Sequence, residues 1–88
     1  MFFIYVLKSS FDEDLYIGST NNLVRRIKEH NSKKVYSTKH RGPFKLIYYE
    51  AYIAEKDARH REHNLKLRSR AAAQLKKRIN NSLNFFEV

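Results

Sequence analysis

Cysteine and tryptophan are absent from this 88-residue chain, glycine occurs twice and proline once. Without cysteine there is no disulfide, no thiolate zinc site and no cysteine nucleophile. Two glycines cannot make the glycine-rich loop that cradles a nucleotide's phosphates. No apolar run approaches the ~20 residues a membrane span needs. The opening Met1-Phe2-Phe3-Ile4-Tyr5-Val6-Leu7 has no basic segment before it, so it reads as a buried strand rather than a secretory leader. Acid is also scarce: 18 Lys and Arg stand against 9 Asp and Glu, a net charge of +9. Such a field attracts polyanions, which makes nucleic acid the default partner. Together these absences favour a reduced, cytoplasmic protein, a monomer or weak dimer, with no membrane association. The length suits one small domain, residues 1–88, burying ~60–65% of the unfolded chain's surface. Its 6 Tyr and 6 Phe are the material for much of that core.

Along the chain, residues 2–8 are apolar and β-branched or aromatic, which predicts a central strand. Phe11-Asp12-Glu13-Asp14 is a polar turn, and residues 14–18 resume an extended pattern, so the pair forms an antiparallel hairpin. A helix is predicted over 21–31, capped by Asn21 or Asn22 and stopped near Asn31. Residues 32–43 are basic and irregular, ending in the emphatic break Gly42-Pro43. A third strand is expected over 45–53, then helices over 54–67 and 70–83, with Ser69 as a cap for the last. The order ββαβαα predicts an α+β fold, a three-stranded antiparallel sheet flanked by helices.

The positive charge is grouped. Residues 25–45 hold Arg25, Arg26, Lys28, Lys33, Lys34, Lys39, Arg41 and Lys45 against Glu29 alone. Residues 59–78 hold Arg59, Arg61, Lys66, Arg68, Arg70, Lys76, Lys77 and Arg78 against Glu62 alone. Two such clusters flanking a poorer region suit a groove for a phosphate backbone. From these sets Arg25, Lys28, Lys33, Lys34, Lys39, Arg41, Lys66, Arg68 and Arg70 are the expected nucleic-acid contacts. Solvation of helix surfaces is the ordinary alternative for any one of them.

Tyr5 and Tyr16 lie on the two arms of the hairpin, so strand pairing brings both phenols to one region. A lone strand tyrosine is usually half-buried packing; the next helix changes the balance. At ~100° per residue, Arg26 and His30 border the Leu23/Val24/Ile27 stripe one turn apart, while Arg25 points to solvent. A guanidinium and an imidazole therefore face the sheet that carries the tyrosines. Glu62 is the one acid in a twenty-residue basic stretch. It suits either an i,i+4 partnership with Lys66 or an inward, metal-holding position. Arg61 falls inside the apolar stripe of the same helix, so either the helix is irregular or Arg61 also faces the site. His60 and His63 read as surface histidines.

Phe3-Ile4-Tyr5, ten residues, then Tyr16-Ile17-Gly18-Ser19-Thr20-Asn21-Asn22-Leu23, then Arg26 and His30, resembles the GIY-YIG nuclease superfamily, most of all its small stand-alone members. In that resemblance Tyr5 and Tyr16 match the two motif tyrosines, Arg26 the helix arginine and His30 a position held by His or Tyr. Glu62 within Ala58-Arg59-His60-Arg61-Glu62 matches the metal-binding glutamate. Phe3 replaces the first glycine of the name, and Asn80, Asn81 and Asn84 compete for the family's late asparagine. The resemblance implies one Mg²⁺ or Mn²⁺ and hydrolysis of DNA phosphodiester bonds, in repair or recombination. Either tyrosine could serve as general base, provided its pKa falls from ~10; Arg26 is a candidate cause. His30 would orient water or protonate the leaving group. With no room for a targeting module, selectivity would be low or borrowed from a protein partner. The competing expectations are a nucleic-acid-binding protein on the same scaffold without turnover, and an RNA or ribosome adaptor using exposed Tyr and Arg.

Overall fold

The structure, a computed structural model, describes residues 1–67 and 70–86. In chain order the elements are β1 (Phe2–Ser9), β2 (Leu15–Thr20), α1 (Leu23–Asn31), β3 (Phe44–Tyr52), α2 (Glu55–Lys66), α3 (Arg70–Arg78) and a short α4 (Asn80–Leu83). The expected α+β order therefore holds, with the helix predicted over 70–83 divided at Ile79. Arg68 and the predicted cap Ser69 lie outside the described residues.

Strand β1 lies between β2 and β3 and runs antiparallel to both. A central strand covered on both faces must be apolar at successive positions, as Ile4, Tyr5, Val6 and Leu7 are; all four are buried. Ile4 and Val6 join Ala58 and Leu65 of α2, Leu75 of α3 and Ile79 in one core. Tyr5 and Leu7 face the opposite way, against Phe44 and against Leu23 and Ile27 of α1. The Leu75/Ile79/Leu83 stripe thus serves the core: two of its members are buried and Leu83 packs against them. Where Val6 pairs with Tyr48 but Leu7 with Leu46, Ile47 is an extra residue in β3. That bulge lets Ile47 and Tyr48 both reach the α2 side while Leu46 reaches the α1 side.

Helix α1 starts where the Asn22 side chain accepts the Arg25 backbone N–H at 3.0 Å. It ends after Asn31, with Lys33 in the left-handed region at φ 62°. Asn31 brackets the start of β3: the Phe44 N–H donates to its Oδ1 at 2.7 Å and its Nδ2 donates to the Phe44 carbonyl at 3.2 Å. The 32–43 loop is thereby closed at its base. Its far end is tied to the β1–β2 turn, where Ser9 donates to the Arg41 carbonyl and Arg41 forks onto Asp12 at 2.7 and 3.2 Å. That hydrogen-bonded guanidinium holds the Asp12 carboxyl at about 2.

In α2 no side chain caps the N-terminus, but Glu55 and Asp57 in the first turn complement the helix dipole. Arg61 does turn inward, and its partner explains why. Its Nε and Nη2 donate to the two Glu50 oxygens at 2.9 and 3.1 Å, and the Tyr48 and Tyr52 hydroxyls donate to the same carboxylate. Burial alone would raise the Glu50 pKa; these donors overcome it and hold the group ionised. Burial, reinforced by Glu50, pushes the Tyr52 phenol up to about 12.

Candidate active site

The site begins with a strand register. Tyr5 pairs with Gly18 and Leu7 with Tyr16, so Tyr5 and Tyr16 sit diagonally on the α1 face, ring centroids 6.4 Å apart. The Tyr5 ring lies over Gly18: a Cβ there would come within 2.4 Å of the phenolic oxygen and 2.6 Å of Cζ. Gly18 is needed for this close approach.

His30, one turn beyond Arg26 on α1, reaches the same point. Its Nε2 is 2.9 Å from the Tyr5 hydroxyl and its Nδ1 is 2.7 Å from Thr38 Oγ1. Tyr5 is 1% exposed, and His30 and Thr38 are 0% exposed. Tyr16 meets the imidazole edge-on at 4.9 Å and Phe44 at 5.8 Å. Burial first, and then the positive charge of Arg26, pulls the His30 pKa down from 6.5 to about 4, so the ring is neutral at pH 7. Burial raises the Tyr5 pKa, and the hydrogen-bonding Arg26 guanidinium only partly offsets that rise. The lowered phenol that the sequence argument asks of Arg26 is thus not found at rest, because desolvation is the larger effect. Arg26 also holds Glu29 at 3.2 Å.

Glu62 approaches from the other side of β2. Ser19 follows Gly18 and points to the α2 face, where its hydroxyl donates to Glu62 Oε1 at 2.7 Å. Lys66, one turn on, donates to Oε2 at 2.6 Å. The Glu62 charge is close enough to act on the Tyr5 phenol. Beside them a cleft at the end of the β2 edge is lined by Ser19, Thr20, Asn21, Arg25, Arg26 and Arg59 among others; of the expected catalytic residues only Arg26 lines it. Neither Ser19 nor Thr38 was singled out in the sequence, nor was Arg59 as a site residue. The first two are hydroxyls whose partners lie 43 and 8 residues away.

A family model described as the GIY-YIG catalytic domain matches residues 1–81. The chain belongs to the GIY-YIG family. It is 45% identical over 67 residues to a UPF0213 protein of Clostridium perfringens, covering 75% of this chain and 71% of that one. A UPF0213 protein of Pediococcus pentosaceus is 39% identical over 72 residues, 81% of this chain and 75% of the relative. Among solved structures, the UPF0213 protein of Bacillus halodurans superposes with a TM-score of 0.56 at 28% identity, covering 100% of this chain and 99% of that one.

The basic residues expected to contact nucleic acid are unequal, and of them only Arg25 lines the cleft at the β2 edge. Arg25, Lys28, Lys33, Lys34 and Arg70 are exposed, though Arg25 also donates to Asn21 at 2.9 Å. Lys39 stands over the Tyr36 ring at 4.6 Å. Arg41 and Lys66 are engaged by Asp12 and Glu62, and Arg68 lies outside the described residues. This GIY-YIG domain therefore joins Tyr5, Tyr16, Arg26 and His30 in one cluster and brings Glu62 to its border. Among the described residues, no helix is long and apolar enough to cross a membrane.

Proposed function

We propose that this GIY-YIG protein is a metal-dependent endonuclease that hydrolyses DNA phosphodiester bonds. The observation that carries the reading is the buried Tyr5–His30 hydrogen bond beside Arg26. Attraction of a polyanion needs surface charge, whereas a neutral imidazole joined to a phenol in the interior is equipment for moving a proton. Of the two tyrosines, Tyr5 is favoured as general base because it is the one bonded to that imidazole.

Glu62 fits a divalent cation. Its carboxylate, held by Ser19 through one oxygen and by Lys66 through the other, would be the single protein ligand of a hard ion that takes its remaining oxygens from water and substrate phosphate. Its Lys66 partner is half exposed and free to swing away. Bound there, Mg²⁺ or Mn²⁺ supplies positive charge to the phosphate and to the departing 3′ oxygen. This chain's own residues do the rest. Arg26 clamps a non-bridging phosphate oxygen with its planar fork. Tyr5 passes its proton to His30 Nε2 and takes one from the attacking water, whose oxygen bonds to phosphorus as the bond to the 3′ oxygen breaks; that 3′ oxygen takes its proton from solvent. His30 acts on the water through Tyr5, since both of its nitrogens are engaged inside the fold. The exposed lysines of the 32–43 loop and Arg25 hold the flanking backbone. Repair or recombination, with selectivity lent by a protein partner, is the setting this chemistry suits.

The test is a panel of labelled single-stranded, duplex, flap and branched DNAs with Mg²⁺, Mn²⁺ or EDTA, beside Glu62→Ala. Metal-dependent cuts absent from the variant are expected. Salt-sensitive binding with no cutting in any arm would overturn the reading in favour of a binding protein.

A further inference from the structure

Thr38 is completely buried, the one residue of the 32–43 loop that is, and its hydroxyl touches the imidazole. The imidazole is walled by Tyr5 and Tyr16 from the hairpin, Phe44 from β3 and Thr38 from the 32–43 loop, and feels the charges of Arg26 and Glu29 on its own helix.

The proton positions follow from what each neighbour has to give. The Arg26 guanidinium has only donors and lies near enough to lower the Tyr5 pKa, so it favours a phenolic oxygen that gives its proton elsewhere. The Tyr5 proton then goes to His30 Nε2, 2.9 Å away, which must carry a bare lone pair. A neutral imidazole with a bare Nε2 has its proton on Nδ1. Nδ1–H donates to Thr38 Oγ1 at 2.7 Å, and the Thr38 proton is left for the Val35 carbonyl at 3.5 Å. Thr38 is itself pinned by its backbone, its N–H donating to Val35 at 3.1 Å and its carbonyl accepting from Arg41 at 2.9 Å.

We propose that Thr38 is a positioning residue: it fixes His30 in the Nδ1-protonated tautomer, so that Nε2 stays available to receive the Tyr5 proton. When that transfer occurs, the imidazolium keeps its Nδ1–H bond to Thr38 and returns its new Nε2–H to the Tyr5 oxygen, so no other group has to move. Only the kinetic consequence rests on the nuclease reading; the tautomer does not.

The experiment uses the full chain with ¹⁵N-labelled histidine and long-range ¹H–¹⁵N correlation at pH 7. In the wild type, His30 is expected to show a protonated Nδ1 and a bare Nε2, and Thr38→Ser keeps that pattern. Thr38→Val, which is close in shape but has no hydroxyl, populates the Nε2–H form, with Thr38→Ala as a second variant should the valine not fold. On the DNA cut fastest by the wild type, Thr38→Val lowers kcat by roughly tenfold or more at unchanged KM, and Thr38→Ser restores it. A wild-type ring protonated on Nε2, or a tautomer unmoved by removing the hydroxyl, overturns the proposal even if the protein cuts DNA. Loss of cutting in every chain with the tautomer as stated overturns the nuclease instead.

Discussion

On the α2 face of the sheet, Ile4 and Val6 meet Ala58, Leu65, Leu75 and Ile79, a core of alkyl groups. One residue along the same strand, on the α1 face, Tyr5 meets a buried imidazole that a buried threonine holds from its other side, with the Arg26 charge acting on the phenol. Period-two alternation of a central strand has put an alkyl core on one side and a buried polar cluster on the other, with Glu62 alone of the expected catalytic residues coming from the α2 side. The difference lies in what each side tolerates. Alkyl packing loses energy in proportion to the volume removed. The polar side is closed by mutual hydrogen bonds: among the described residues no buried side-chain nitrogen or oxygen lacks a partner. Removing one group there strands its neighbour, which costs more than the lost bond itself.

Substitutions sort the two faces by which measurement they move. The largest effect is expected on the rate: Tyr5→Phe and Glu62→Gln lower single-turnover cleavage by roughly 10²–10⁴-fold. Glu62→Gln changes the urea midpoint little, because Ser19 and the half-exposed Lys66 both have water to fall back on. Tyr5→Phe costs about 1–3 kcal/mol as well, by leaving His30 Nε2 unpaired. Leu75→Ala is the mirror experiment. It opens a cavity in the alkyl core and costs about 2–5 kcal/mol, while cleavage per folded molecule stays at the wild-type rate. A Leu75→Ala protein that is stable but slow would show that the faces are coupled.

Acid separates the faces without mutation. The His30 pKa is about 4 folded against 6.5 ordinarily, so the unfolded chain takes up the proton first as pH falls. Its contribution is fully present above pH 6.5, declines between 6.5 and 4, and changes no further below, a loss on the order of 3 kcal/mol. Urea midpoints at pH 7, 5 and 4 should show this decline. His30→Phe should flatten the upper part of it and leave only the loss from Glu50, whose pKa is held below the ordinary carboxylate value and whose contribution falls away toward pH 4.

How far the two faces could be read from the sequence follows from the range of the interactions. The continuous apolar run of β1, the Asn22 cap and the Arg26/His30 pairing are periodic or local, and strand and helix geometry express them directly. Arg61 stayed ambiguous because its partner Glu50 lies on another element; the Tyr48-x-Glu50-x-Tyr52 alternation, which sets all three on one strand face, was the available signal. Ser19 and Thr38 carried no signal at all: a hydroxyl in an extended or irregular segment looks alike whether it faces water or fixes a carboxylate. The break at Ile79 was equally hidden, since Leu75, Ile79 and Leu83 keep helical spacing across it. The depressed phenol expected from Arg26 failed for a quantitative reason, because desolvation outweighs one cation.

The chain's two glycines give the finest comparison. At Gly18 an added methyl group would overlap the Tyr5 phenol, 2.4 Å from its oxygen, and that phenol is buried and held by His30. Gly18→Ala should therefore cost about 1–3 kcal/mol and, unlike Leu75→Ala, slow cleavage by folded molecules too, since whatever relieves the overlap moves the Tyr5 oxygen. At Gly42 the nearest atom to an added Cβ is Phe44 Cδ2 at 4.0 Å, an ordinary contact, and the backbone is not left-handed. Gly42→Ala should shift stability by less than about 1 kcal/mol and leave the rate alone. Equal effects at the two positions would mean that the Tyr5 ring does not sit over Gly18, and the register-built site would have to be abandoned.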